Sequence, residues 1–245
     1  MPRFFVPSEN FENGMVKITG EDARHIARAL RMAVGDELTV CDMHGMAHEC
    51  VLVKIRDEEC LLEIRSTVCK NTESPIYISL YMGYPKGDKL EFIVQKAVEL
   101  GALAVIPFES SRCIKKAKSD KIEKQTERLS KIANEASKQS GRSALTEIKN
   151  PVSFKDALSL AKKNGENILF CYEGDGTKSL KSTLSELNPG AKIAVFVGPE
   201  GGFSLDEVAL AASYGATAVN LGPRILRCET APIYALSAIS YHFEI

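Results

Sequence analysis

Apolar and polar residues follow two different rhythms along this chain. Up to about residue 70 the apolar positions come in short runs: Arg3–Val6, Met15–Ile18, Glu37–Cys41, His48–Ile55 and Cys60–Ser66. Turn-forming stretches such as Asp42-Met43-His44-Gly45 and Arg56-Asp57-Glu58-Glu59 separate them. Short strands broken by turns predict a small β-barrel. One segment departs from that rhythm. Ala23, Ile26, Ala27 and Leu30 fall on one face at helical spacing, so a helix is expected from Glu21 to Ala33. On it Arg24, Arg28 and Arg31 would form a basic stripe.

Lys70 to Pro75 is polar and ends in proline, which places a domain boundary there, between residues 1–72 and 73–245. Beyond it, apolar runs alternate with amphipathic ones. Strands are expected at Ile76–Met82, Ala102–Phe108, Asn167–Cys171, Lys192–Val197 and Thr217–Leu221. Leu90, Ile93, Val94, Ala97 and Val98 mark a helix closed by Gly101, with Asp88 and Glu91 as a capping box at its start. Such alternation predicts an α/β domain on a mostly parallel sheet.

Two glycine-flanked segments follow the last two of these strands. Gly198-Pro199-Glu200-Gly201-Gly202 links a strand to a helix whose start reads as a second capping box, Ser204 with Glu207, and Phe203 as a hydrophobic staple to Val208. Leu221-Gly222-Pro223-Arg224-Ile225-Leu226-Arg227-Cys228-Glu229 leads to Thr230, read as the N-cap of a last helix with Ile233, Leu236 and Ile239 inward. Glycines at strand exits let a backbone approach a ligand closely. Charged residues there sit where α/β proteins form their sites. The position after the first strand, Gly83-Tyr84-Pro85-Lys86-Gly87-Asp88, lacks the GxGxxG fingerprint, which argues against a nucleotide-dependent oxidoreductase.

Composition narrows the choice. A net charge near −1 gives no global attraction to nucleic acid, so an RNA site has to be a local patch. One such patch runs from Arg112 to Lys131, with a local excess of five positive charges. Seven cysteines without a CxxC pair, several in strand-like runs, read as reduced thiols in a cytoplasmic protein. No histidine has ligand spacing, so no metal is expected. The first residues lack the apolar core of a signal peptide, and no stretch is long enough for a membrane span.

Together the motifs GPEGGFS and LGPRILRCETA resemble the RsmE family of SPOUT methyltransferases. Lys86-Gly87-Asp88-Lys89, Gln95 to Gly101, Gln139-Ser140-Gly141-Arg142 and His25 to Arg31 extend the resemblance over nearly the whole chain. The resemblance implies a SPOUT trefoil-knot domain preceded by a PUA-like β-barrel that binds RNA. It implies a homodimer that uses S-adenosylmethionine to methylate N3 of a uridine in the decoding region of 16S rRNA, free or within the 30S subunit. It assigns the cofactor to Tyr172, Glu173, Val197, Gly198, Glu200, Gly201, Gly202, Leu221, Gly222, Ile225, Leu226, Arg227, Thr230 and Ala231. RNA contacts are expected from Arg3, Arg24, Arg28, Arg31, Arg112, Lys115, Lys116 and Arg142. Removing the N3 proton leaves charge on the uracil oxygens, and Arg227 is the expected counter-charge. Glu229 either accepts the proton or orients Arg227, and Arg142 serves either catalysis or a phosphate, within one subunit or across the dimer. Other readings are a SPOUT enzyme acting on another rRNA or tRNA nucleotide, and a non-catalytic RNA-binding assembly factor.

Overall fold

The computed structural model describes residues 1–43, 45–56, 58–68, 72–113 and 122–245. The chain divides into two compact units, Met1–Glu73 with Ser137–Leu145, and Ser74–Ala136 with Thr146–Ile245.

In the first unit the alternating pattern produces β1 (Arg3–Phe5), β2 (Phe11–Glu12), β3 (Met15–Thr19), β4 (Glu37–Cys41), β5 (Ala47–Arg56) and β6 (Glu59–Val68). They form one sheet in the order β1-β4-β5-β6-β3-β2, antiparallel except for β1 on β4. Every second residue of the central strands turns inward, so Val16, Ile18, Leu38, Val40, Leu52 and Leu62 share one core with Ala23 and Ile26. Register shifts in β5 at Glu49/Cys50 and Leu52/Lys54 bend the long β5–β6 hairpin and help curl the sheet.

The helix of this unit is shorter than its periodicity suggests. Helix α1 covers Gly20–Arg24 and passes into a π-turn over His25–Ala29, where the Leu30 N–H donates to the His25 carbonyl at 2.9 Å. A wider turn moves residue i+4 off the face of residue i. Ile26 is therefore fully buried while Leu30 is exposed. Arg31 then takes a left-handed φ of 52° and ends the helix before Ala33. Arg24 and Arg28 remain exposed on the helical segment, but Arg31 leaves it, so the three-residue stripe does not form.

Ser137–Leu145 is tied to this unit by a buried ion pair and by contacts around it. The Arg142 guanidinium is 4% exposed and donates twice to the Glu73 carboxylate, which also accepts from the backbone N–H of Ser143 at 2.9 Å and of Ala144 at 3.1 Å. Arg3 Nη1 donates to the Arg142 carbonyl at 3.0 Å, and Lys138 pairs with Asp22 at 2.9 Å. The proline-marked boundary therefore accounts for only one of the two segments of this unit.

The second unit is α/β, as its alternation predicts. Its elements are β7 (Tyr77–Gly83), α2 (Lys89–Glu99), β8 (Ala104–Glu109), α3 (Ile122–Ser140), β9 (Glu147–Ile148), β10 (Val152–Ser153), α4 (Phe154–Lys163), β11 (Asn167–Cys171), β12 (Lys178–Ser179), α5 (Leu180–Leu184), β13 (Lys192–Val197), α6 (Leu205–Ser213), β14 (Thr217–Asn220) and α7 (Thr230–Glu244). The last residues of α3, from Ser137, belong to the first unit. The sheet runs β10-β8-β7-β13-β11-β14-β12, with β9 also on β8, and every pairing among the described residues is parallel. Residues Ile193–Val197 of β13 are all buried, as suits a central strand covered on both faces. One face packs against α2, α5 and α7. The other packs against α4 and α6 through an aromatic cluster in which Tyr81 and Phe196 stack at 4.3 Å.

Burial acts to raise the Glu73 carboxyl, but the Arg142 hydrogen bonds and charge outweigh it and hold the group below its ordinary range. The pair thus stabilises the fold above the ordinary carboxylate pKa and loses that contribution as pH falls through the depressed value. Glu73→Gln leaves the Arg142 charge buried without a counter-charge and is expected to cost about 3 kcal/mol at pH 7. In urea titrations the gap from the native protein should hold at neutral pH and close as the pH falls below the ordinary carboxylate range.

Candidate active site

Parallel pairing sends the C-terminal ends of β7, β11, β13 and β14 to one edge of the sheet. The loops leaving β11, β13 and β14 there enclose a cleft of about 630 Å³. Of the residues assigned to the cofactor, Tyr172, Glu173, Val197, Gly198, Glu200, Gly202, Leu221, Gly222, Ile225, Leu226, Arg227 and Ala231 line it. Lys89, Cys171, Asn220 and Arg224, none of them assigned to the cofactor from the sequence, line it too.

Each loop is shaped by local chemistry. After β13, Gly202 turns with a φ of 63° and its N–H donates to the Pro199 carbonyl at 2.9 Å. The capping box then forms as the sequence predicts. Ser204 Oγ accepts from the Glu207 N–H, and the Glu207 carboxylate accepts from the Ser204 N–H at 2.8 Å. Phe203 is buried against Phe170 and shares a cluster with the partly buried Val208. After β14, the Asn220 side chain donates to the Lys178 carbonyl at 3.1 Å and accepts from the Gly222 N–H at 3.4 Å, so it braces the turn at Gly222, whose φ is 99°.

Two glycines act through packing rather than through the cleft. Gly201 does not line it; a Cβ there would lie 3.0 Å from the Arg112 Cβ, and Arg112 Nη1 donates to the Gly201 carbonyl at 3.0 Å. Gly83, at the end of β7, meets the first loop directly. A Cβ on Gly83 would stand 2.5 Å from both the backbone nitrogen and the Cδ of Pro199. The sequence signal for this was a glycine closing an otherwise bulky strand.

Two helix starts differ from expectation. Asp88 makes no side-chain cap for α2, and Glu91 instead pairs with Arg128 at 2.8 Å. Thr230 is the first residue inside α7, preceded by Glu229, and Thr230 lies outside the cleft. Glu229 does not pair with Arg227. Its carboxylate lies 3.1 Å from the Lys89 ammonium, which also holds Glu200 at 3.2 Å. Glu200 further accepts from the Lys86 N–H at 3.1 Å. Burial would raise both carboxyls, yet backbone N–H groups and Lys89 hold them below the ordinary range, and the same contacts raise Lys89.

Arg224 and Arg227 are exposed at the cleft and make no side-chain hydrogen bond or ion pair among the described residues. Nor do the backbone N–H groups of Ile225 and Leu226 have a partner there, and the Ile225 side chain stands exposed. Burial pushes the thiols of Cys171 and Cys228 up to about 12, so both are protonated at neutral pH. Among the described residues no group of three His, Cys, Asp or Glu is placed to hold a metal ion, and no helix is long and apolar enough to cross a membrane. The six described cysteines are free.

None of the other proposed RNA contacts among the described residues lines this cleft. Arg24, Arg28 and Arg31 are exposed in the first unit, whereas Arg3 and Arg142 are engaged within it. Lys115 and Lys116, with much of the basic run, fall outside the described residues.

Residues 72–240 match the model of an RNA methyltransferase domain and residues 18–65 that of an RNA methyltransferase PUA domain. Ribosomal RNA small subunit methyltransferase E of Bacillus subtilis is 36% identical, over 100% of this chain and 98% of its own length. The chain belongs to this methyltransferase family. The Synechocystis enzyme of the same name is 31% identical over 99% of this chain and 78% of its own length. The Neisseria gonorrhoeae enzyme, solved bound to S-adenosyl methionine, is 32% identical, with a TM-score of 0.86 over 99% of this chain and 98% of that one. The fold is accordingly the SPOUT α/β domain with a PUA-like N-terminal domain.

Gly83→Ala tests how far the methyltransferase domain depends on the close approach of β7 and the first loop. The clash is with backbone and a rigid ring, so the loop has to shift. A loss of about 1–3 kcal/mol is expected, read as a lower unfolding midpoint in denaturant.

Proposed function

We propose that this chain methylates N3 of a uridine in the decoding region of 16S rRNA, with S-adenosylmethionine as methyl donor. The observation that carries the reading is the cleft itself, in which two unpaired arginines join apolar side chains and loop backbone in lining a pocket of a domain of the RNA methyltransferase family. The donor set suits S-adenosylmethionine. The free N–H groups of Ile225 and Leu226 offer hydrogen bonds to an adenine edge, and Leu221 and Leu226 offer apolar contact to its faces. Glu173 lines the cleft with no side-chain hydrogen bond or ion pair among the described residues and would meet the cofactor's positive charge. When bound, the cofactor supplies the electrophilic methyl group.

The remaining chemistry belongs to the protein and the uracil. N3 becomes nucleophilic only when its proton leaves, and the resulting charge spreads over O2 and O4. Arg227 is free to stabilise that charge, because no carboxylate of the described residues engages it. Glu229 is not its orienting partner, since Lys89 holds that carboxylate. Cys228, protonated and hydrogen-bonded to Glu229 at 3.2 Å, is not a nucleophile toward the base. Arg224 is suited to a phosphate beside the target. In the PUA domain Arg24 and Arg28 are suited to other phosphates of the RNA, and their contribution would weaken with salt. Arg142 and Arg3 are assigned to holding the fold. We further propose that the enzyme acts in the cytoplasm as a homodimer on the 30S particle.

Primer extension on rRNA from cells lacking the protein should lose one stop near the 3′ end of 16S rRNA, because N3 methylation blocks the pairing edge. Supplying Arg227→Ala should leave the stop missing while S-adenosylmethionine binding persists in calorimetry. An unchanged stop in the deletion strain overturns the substrate; full rescue by Arg227→Ala overturns its role. Arg24→Glu with Arg28→Glu should weaken rRNA binding and flatten its salt dependence without changing cofactor affinity.

A further inference from the structure

Two of the three loops that line the cleft, those after β13 and β14, are held together by a residue belonging to neither. Lys89 is the first residue of α2, and its ammonium bridges Glu200 at the tip of one loop and Glu229 at the end of the other, at 3.2 and 3.1 Å. Lys86, one turn earlier, adds its backbone N–H to Glu200. The Cys228 sulfur lies 3.7 Å from the same ammonium. Two carboxylates reaching one nitrogen are themselves close, and both are held ionised. With the ammonium gone they would repel each other, and the loops carrying them are joined through no other ion pair among the described residues.

We propose that Lys89 is a positioning residue for the methyl-transfer site, fixing the spacing of the Gly198–Gly202 and Leu221–Glu229 loops before any ligand enters. The inference rests on the reading of this cleft as the S-adenosylmethionine site. Lys89 itself is not the base: a lysine whose ammonium is stabilised by two carboxylates keeps its proton at neutral pH. Its effect is transmitted through Glu200 and Glu229.

The test uses the full chain with three variants: Lys89→Met, Lys89→Arg, and Lys89→Met combined with Glu200→Gln and Glu229→Gln. Hydrogen exchange of residues 198–204 and 222–230 is measured without ligand, and S-adenosylmethionine affinity by calorimetry. Lys89→Met should speed exchange in both loops and weaken binding at least about tenfold, the equivalent of roughly 1.4 kcal/mol. Lys89→Arg should restore most of both. The triple variant, which removes the repulsion along with the ammonium, should exchange more slowly in both loops than Lys89→Met; it also keeps the test alive should Lys89→Met fold poorly. Unchanged exchange in Lys89→Met, or a triple variant no slower than the single one, overturns the clamp. Should the native protein bind no S-adenosylmethionine, the cofactor reading fails, while the exchange comparison still decides the clamp.

Discussion

Everything at the cleft depends on β13 lying between β7 and β11 with both pairings parallel. A buried strand has to satisfy its backbone on both sides, and an apolar run from Ile193 to Val197 leaves it no solvent-facing alternative. Parallel neighbours then release their chains at one edge. Loops from distant parts of the sequence meet there because their strands are neighbours, although β11 and β14 precede and follow β13 in the chain. Gly83 completes the arrangement by letting the chain leaving β13 lie against the end of β7 at backbone contact distance.

The electrostatics of the site follow from the same geometry. Helix α2 begins beside the loops because it follows β7, the strand next to β13. Its first residue, Lys89, supplies the cation that both loop carboxylates share. That leaves Arg224 and Arg227 without acidic partners among the described residues, which is the state in which an arginine is most useful to an anionic ligand.

Much of this was readable in the sequence, and the failures have physical causes. The strands of both units stood out because their apolar runs are contiguous and bounded by turns. The Ser204–Glu207 capping box was legible because cap and partner lie within one turn. The Asp88–Glu91 box has the same spacing but loses Glu91 to Arg128, thirty-seven positions away, and no local pattern reveals such a competitor. Arg142 lies in a motif that suggested chemistry, yet it is spent on Glu73. In the sequence Lys89 is only one residue of the Lys86-Gly87-Asp88-Lys89 motif, since nothing local shows that two loops more than a hundred residues later converge on it. The helical stripe at Arg31 was lost to a π-turn, a change of pitch that apolar spacing does not announce.

The pairing of Glu73 with Arg142 bears on how the molecule emerges from the ribosome. An N-terminal domain ordinarily can close once its own strands have been made. Here the first unit stays incomplete until Ser137–Leu145 has been synthesised, by which time β7, α2 and β8 have already emerged. At ordinary elongation rates that interval is on the order of ten seconds. During it Glu73 waits without its guanidinium, so the two units cannot mature as independent beads in chain order: the N-terminal one finishes while the other is half built.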